Sequence, residues 1–223
     1  MVKPVPAPRR TRANGQASRE RILDAAAEIA GERGYEGTSI NSISERSGLP
    51  ASSIYWHFTD KDELIAAVID RSFNRWADAI RAPVAVPDDA GPEQLFHLAM
   101  QRTGAAIAEF PDYLRLGLML ILEQRPEEPT ARRKFLEVRR TTADRARELY
   151  QGLFADLAGN DVDSLVTLTM ALADGLFVAQ EVGEVELGKA FDLLATAILG
   201  AADQMRAAAA STRPRRTRAA RRR

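Results

Sequence analysis

Residues 53–63, SIYWHFTDKDE, bring together side chains whose types and spacing could do chemistry. His57 is one of only two histidines in the 223 residues, and Lys61 follows it by four positions. A functional site would use His57 and Lys61, whereas a buried helix would use Tyr55 and Trp56 as core. The residues around this segment have to decide between these interpretations.

The rest of the chain offers little for catalysis. The other histidine, His97, is forty residues away, and there is neither a cysteine nor a glycine-rich phosphate loop. Acidic pairs such as Asp88-Asp89 lie in polar connectors and are explained by solvation. We therefore expect no catalytic residue, no metal ligand and no cofactor. A screen for substrate turnover would test the enzyme alternative.

The net charge of zero conceals an uneven distribution. Residues 1–21 carry six basic and one acidic side chain, and residues 206–223 carry eight arginines and no acid. The remaining body holds 17 basic and 30 acidic residues, a net charge of −13. Basic ends on an acidic body indicate contact with a polyanion, or alternatively two disordered solubilising extensions.

Composition places the chain among soluble proteins. No run approaches the roughly 18 uninterrupted apolar residues of a membrane span, and the N-terminus has no apolar stretch typical of a secretory signal. We expect a cytoplasmic protein without a membrane partner.

Apolar residues recur at three- and four-residue spacing throughout, which predicts an all-α fold of about nine helices. Ser18 is expected to cap the first helix, Thr38 the second and Asp60 the fourth. The helices are predicted near residues 19–33, 39–46, 51–57, 61–81, 93–109, 111–123, 129–157, 161–181 and 187–208.

The second and third helices form a helix-turn-helix candidate. The third helix is only about 10 Å long at 1.5 Å per residue. If Ile54 and Phe58 face the core, a helix this short cannot also bury Tyr55, Trp56 and His57. Part of that face is therefore expected to be exposed as a contact surface.

The segment TSINSISERSGLPASSIYWHFTDKDEL, residues 38–64, preceded by ERGYEG, resembles the DNA-binding head of the tetracycline-repressor (TetR) family. The likeness covers about residues 22–69 without a gap. Its Gly-Tyr, Ser-Gly, Tyr-x-His-Phe and Lys-x-x-Leu elements are in register. Beyond residue 69 only the all-helical layout is similar.

The resemblance implies DNA-contacting roles by position. Thr38 and Ser39 would bring hydroxyls and a helix N-terminus to a phosphate, and Ala51, Ser52 and Ser53 would face base edges. The implied backbone and groove-edge contacts are Tyr55, Trp56, His57 and Lys61. Taken singly, Tyr55 could be half-buried packing, His57 a helix C-terminal cap and Lys61 a solvated residue.

Two departures from the family pattern concern the head. Ala30 stands where relatives carry a large aromatic residue, and Pro50 where they carry a capping Ser or Thr. The third helix has no Arg, Asn or Gln for bidentate base readout. Specificity could then depend on DNA shape, on water, or on the basic arm at residues 9–19 entering the minor groove.

The resemblance also implies a C-terminal body that binds a ligand and dimerises through its last two helices. Residues 165–179 and 191–199 are apolar nearly all round, which requires burial on more than one side. We expect a second copy of the chain to bury these residues in a homodimer. The alternative is that they form the core of a monomer. The predicted domains are a disordered basic arm (1–17), the head (18–64), the body (65–208) and a disordered basic tail (209–223).

A small apolar effector is expected inside the body. No charged residue can be assigned to its head group, although Arg115 and Glu123 are candidates, and for each lining residue ordinary packing remains the alternative. The expected lining residues are Phe96, Met100, Thr103, Met119, Phe135, Thr142 and Phe177.

The function implied is a ligand-responsive, sequence-specific transcriptional regulator, a repressor released from a pseudo-palindromic operator when the effector binds. The alternative is a constitutive nucleic-acid-binding protein that uses its arginines on any duplex and so has steep salt dependence with little sequence preference.

Overall fold

A computed structural model of the chain describes residues 9–83, 85–87, 89–122 and 129–212. Within these ranges the chain is helical and contains no strand, which confirms the all-α prediction. The helices described are α1 (Arg9–Arg33), α2 (Ile40–Ser47), α3 (Ala51–His57), α4 (Lys61–Arg81), α5 (Pro92–Glu109), α6 (Asp112–Leu122), α7 (Thr130–Leu153), α8 (Gly159–Glu181) and α9 (Leu187–Thr212).

The chain divides into two compact units that do not follow the predicted boundary at residue 64. The first extends to Ala82 and includes Ile107–Arg140, and the second comprises Pro83–Ala106 and the chain from Thr141 onward. Helices α5 and α7 therefore contribute residues to both units. The functional boundaries at residues 17, 64 and 208 stay predictions.

The start of α1 differs from the prediction. Instead of capping the helix, the Ser18 hydroxyl donates to the carbonyl of Asn14 at 2.9 Å, within the helix. Residues 9–17 are already helical, because arginine, alanine and glutamine are good helix formers and a serine hydroxyl can bond the preceding turn. Helix α1 therefore begins inside the segment predicted as a disordered arm, and the arm's boundary at residue 17 stays a prediction. Residues 1–8 lie outside the described residues.

The N-cap of α2 is Ser39 and not Thr38. The Ser39 hydroxyl accepts from the backbone N–H of Ser42 at 3.1 Å, and the Ser42 hydroxyl accepts from the Ser39 N–H at 3.1 Å. This reciprocal pair satisfies two N–H groups at the helix start. At the other end Gly48 has φ of 64°, a left-handed conformation that favours glycine.

The predicted cap of α4 is confirmed. The Asp60 carboxylate accepts from the backbone N–H of Glu63 at 2.8 Å. The Glu63 carboxylate in turn accepts from the backbone N–H of Thr59 at 2.6 Å. These bonds fix the corner between α3 and α4.

The first unit packs α1 against α2, α4 and α6 around fully buried Ile22, Ile43 and Ile54. Ala30, the residue that replaces an aromatic side chain, is also completely buried. Between α4 and α6, the Ser72 hydroxyl donates to the carbonyl of Phe110 and accepts from the N–H of Tyr113, both at 3.1 Å. The start of α6 is thereby held on α4.

In the second unit α8 packs on α9, and the core includes the clustered rings of Phe96, Tyr150 and Phe154. The Tyr150 hydroxyl and the Thr169 hydroxyl share a hydrogen bond of 2.7 Å. Helix α7 ends at Leu153, before the predicted residue 157, while α9 continues to Thr212 through an alanine-rich segment that favours helix. The remaining basic tail lies outside the described residues.

Candidate nucleic-acid interface

The side chains of α3 divide between core and solvent. Ile54 of α3 is 0% exposed and Phe58, which follows the helix directly, is 3% exposed, so both belong to the core. On the opposite side Tyr55 is 57% exposed and Trp56 is 76% exposed. The prediction that part of this aromatic face is exposed is confirmed, and these rings are available to a partner.

His57 lies beside Trp56, with ring centroids 4.5 Å apart in an edge-to-face arrangement. Burial lowers the pKa of His57 below its ordinary value of 6.5, and the nearby positive charge of Arg19 lowers it further. At neutral pH the imidazole is therefore mainly uncharged and able to donate or accept a hydrogen bond.

Two of the three residues expected to face bases, Ser52 and Ser53, line an open groove. Ser52 is exposed, and Ala51 and Ser53 are half-buried at the start of α3. Ser52, Ser53, Trp56 and His57 form one side of a groove of about 360 Å³. The other side is the first part of α1, which the sequence placed only as a basic arm. The groove is lined there by Asn14, Gly15 and Ser18.

Lys61 is held in place by Tyr35, a residue far away in the sequence. Its ammonium group donates to the Tyr35 carbonyl at 3.0 Å and lies 4.2 Å from the centre of the Tyr35 ring. Glu36 is 3.9 Å away. The ammonium group is positioned by the turn before α2, which the spacing of residues 53–63 alone could not reveal.

Thr38 requires a correction. Its side chain is 1% exposed, and its hydroxyl donates to the Gly34 carbonyl at 2.8 Å. The hydroxyl therefore closes the turn after α1 and does not suit the expected phosphate contact. Ser39 is exposed, so the hydroxyl group at this helix N-terminus comes from Ser39.

The seven expected pocket residues fall in two units. Met119 and Phe135 belong to the first, and the other five to the second. The three phenylalanines and Met100 are buried, whereas Thr103, Met119 and Thr142 are half-buried. Phe135 packs directly on Gly117. A common pocket for the seven residues stays a prediction, and Glu123 lies outside the described residues.

Within the second unit, an open groove of about 520 Å³ lies between the start of α5 and the end of α7. Of the expected lining residues it contains only Phe96. The sequence analysis did not find the other lining residues, because exposed leucines in two helices far apart in the sequence do not reveal that these helices are close in space. These other lining residues are Pro92, Leu95, Ala99, Glu148, Leu149, Gly152 and Leu153.

An aromatic cluster in the first unit was also missed. Trp76 stacks on Phe73 at 5.4 Å and lies 5.6 Å from Tyr113 of α6, measured between ring centroids. Trp76 is 4% exposed. Among the described residues its indole nitrogen is a buried polar atom without a hydrogen-bond partner.

Helix α8 is long enough and apolar enough to cross a membrane, the one such helix within the described ranges. Only 28% of its most apolar 18-residue window is buried within the chain. This is weak evidence for a membrane, since core helices of soluble proteins meet the same criterion. Over the same described ranges, no group of three or more His, Cys, Asp or Glu side chains could hold a metal ion.

Residues 22–68 match the sequence profile described as bacterial regulatory proteins, tetR family. The HTH-type transcriptional regulator AcrR of Shigella flexneri is 34% identical over 64 residues, which are 29% of this chain and 30% of AcrR. The HTH-type transcriptional activator FasR of Mycolicibacterium smegmatis is 30% identical over 108 residues, 47% of this chain and 45% of FasR. The matches thus span about a third to a half of these relatives.

The fold likeness extends further along the chain. FadR of Bacillus subtilis, a transcriptional regulator whose crystal structure is a complex with stearoyl-CoA, superposes with a TM-score of 0.64. The superposition covers 82% of this chain and 98% of FadR at 16% sequence identity. At this identity the likeness establishes the fold alone.

Proposed function

We propose that the whole chain is a sequence-specific DNA-binding transcriptional regulator, because residues 22–68 match the profile of the tetR family of bacterial regulatory proteins. The observation that carries the proposal is the 76% exposure of Trp56 on a seven-residue helix whose other side is core. Large exposed rings next to hydroxyl groups fit a contact surface. A major groove is wide enough to admit an α-helix such as α3.

The proposed interface assigns each exposed group a different task. Ala51, Ser52 and Ser53 face base edges, while Ser39, at the N-terminus of α2, binds a phosphate. Tyr55, Trp56 and His57 contact the sugar-phosphate backbone and the groove edge. Lys61, fixed by Tyr35, supplies a positive charge.

We further propose a homodimer formed through α8 and α9. Both helices keep exposed large apolar side chains that burial against a second copy would remove from water. They are Leu168, Leu172 and Val178 of α8, Val182 directly after α8, and Leu193 of α9. Two heads about 34–36 Å apart would then fit half-sites one helical turn apart in a pseudo-palindromic operator.

The regulator is proposed to be a repressor controlled by a small apolar molecule. Binding inside the helical body shifts α4, which follows α3 directly, and thereby changes the spacing of the heads. An effector can do this only if it prefers one of the two conformations. The stearoyl-CoA complex of FadR makes long-chain acyl compounds a suitable first set to test.

Footprinting of the purified protein on genomic DNA tests the proposal. A discrete protected site is expected, and protection should weaken when a long-chain fatty acid or acyl-CoA is added. Binding to all duplexes with equal affinity would instead support the constitutive alternative. If no added effector changes the protection, the result would still support DNA recognition but would contradict effector control.

The substitution Lys61→Ala tests the backbone contacts separately. The slope of log affinity against log salt should decrease by about one unit, equally for operator and unrelated DNA, since one phosphate contact is lost. Lys189→Ala is the control, because this lysine is on α9 and has an exposed side chain. Equal slopes for wild type and Lys61→Ala would exclude the phosphate contact.

A further inference from the structure

The α3 residues proposed to face bases lack one kind of contact with DNA. Ala51, Ser52 and Ser53 can contact a thymine methyl or a single acceptor, but none can form two hydrogen bonds to one base. Such bidentate contacts are a main source of direct base discrimination. Bidentate base reading in a regulator built on this helix would have to come from a second element.

The start of α1 lies where such an element is required. Asn14 and Ser18 line the same groove as Ser52 and Ser53 of α3. A Cβ atom at Gly15 would lie 3.7 Å from the Trp56 ring, so α1 approaches this exposed ring closely. Residues 14–18 precede Ile22, which is the first fully buried residue among the described side chains of α1, and they continue the helix beyond the core of the head.

Asn14 is the side chain of this segment that fits base reading. It is exposed, and its carboxamide makes no hydrogen bond to another described residue. By contrast, the neighbouring carboxamide of Gln16 donates to Glu20 at 2.9 Å. Arg19, one turn further along α1, adds positive charge beside Phe58, which favours the approach of a polyanion.

We propose that Asn14 is a specificity-determining residue that forms two hydrogen bonds to an adenine next to the bases facing α3. Its amide N–H donates to adenine N7 and its carbonyl oxygen accepts from the N6 amino group, the pairing that a carboxamide makes in a major groove. This inference rests on the proposed function and names a reading residue outside the helix-turn-helix.

The test compares Asn14→Ala with Gln16→Ala on the footprinted operator. Each base pair of the site is replaced in turn, and the affinity of wild type and both variants is measured for every duplex. Wild type should lose affinity on the order of tenfold when the contacted adenine is replaced. Asn14→Ala should abolish this preference at that position and its symmetry mate, while Gln16→Ala keeps the wild-type profile.

The outcomes separate this inference from the proposed function. If wild type has no discrete site, the proposed function fails, and this inference with it. If wild type has a discrete site and Asn14→Ala keeps every preference, only the role of Asn14 is wrong. A loss of affinity that is equal for all sequences would identify a phosphate contact and would also overturn base reading. Alanine favours helix at this exposed position, so the variant is expected to fold.

Discussion

On α3, adjacent residues serve opposite purposes because a helix turns by about 100° per residue. Ile54 and Phe58, four positions apart, lie on one face and are buried. Tyr55 and Trp56 lie between them in sequence and point to solvent. The buried and the exposed side chains therefore belong to different faces of α3 and its C-cap residue, Phe58.

His57 predicts a pH dependence of DNA binding. Burial and Arg19 lower the pKa of His57 in the unbound protein below 6.5, so it is uncharged at neutral pH. In the proposed complex with DNA, a nearby phosphate would raise that pKa. Between the two pKa values the complex then binds more protons than the unbound protein. The affinity for DNA should therefore increase as the pH falls from the pKa of His57 in the complex to its pKa in the unbound protein.

The measurement is operator affinity between about pH 5.5 and pH 8, around the usual imidazole pKa. His57→Gln should remove the increase at low pH. His97→Gln is the matched control, since His97 is the only other histidine and bonds to Asp192 at 2.7 Å in the second unit. An unchanged pH profile in His57→Gln would show that this imidazole does not meet a phosphate.

At the scale of elements, close approach between helices depends on single glycines. A Cβ atom at Gly117 of α6 would lie 2.1 Å from the Phe135 ring of α7. No real contact is that short, so α6 and α7 can pack at this distance only with glycine. The same helix α6 is held at its start by the Ser72 hydroxyl of α4.

Gly117→Ala should therefore lower the free energy of unfolding by about 1–3 kcal/mol, the usual cost of overpacking. Denaturant unfolding measures it. Gly152→Ala in α7 is the matched control, because a Cβ atom there would meet nothing within 4 Å. The control should be neutral or stabilising by up to about 1 kcal/mol, as alanine favours helix. Equal stability of the two variants would mean that α6 and α7 are further apart than described.

For the whole molecule, the exposed apolar surface of α8 and α9 is the feature that a single chain leaves unexplained. The apolar window of α8 has a mean hydropathy of 1.6, yet only 28% of it is buried. On α9, Leu193 is 70% exposed. Burial against a second copy would stabilise the protein by the hydrophobic effect.

Leu193→Glu should convert the proposed dimer to a monomer, because each copy would place a carboxylate in an apolar interface. Sedimentation equilibrium measures the mass, and the dissociation constant should rise by more than about tenfold, given 1.5–3 kcal/mol for each buried leucine. Leu122→Glu on α6 is the control, since Leu122 is 81% exposed in the first unit. A monomeric wild type, or a dimeric Leu193→Glu, would contradict the proposed interface.

Several features could be determined from the sequence by itself because they depend on neighbours a few residues apart. The spacing of apolar residues predicts the helices, and the size of α3 predicts that its aromatic face is partly exposed. Asp60 and Glu63 predict the cap of α4 for the same reason. The resemblance at residues 38–64 pointed to the TetR family, and the profile of that family matches residues 22–68.

Only the tertiary structure decided which polar groups were already engaged. Lys61 bonds to a carbonyl 26 positions away, the Thr38 hydroxyl turns inward, and Asn14 comes to lie beside α3. Local sequence cannot predict such contacts, because they depend on how separate helices pack. The physical reason is the difference in range: helix periodicity and capping act over one or two turns, whereas burial and partner choice depend on the whole fold.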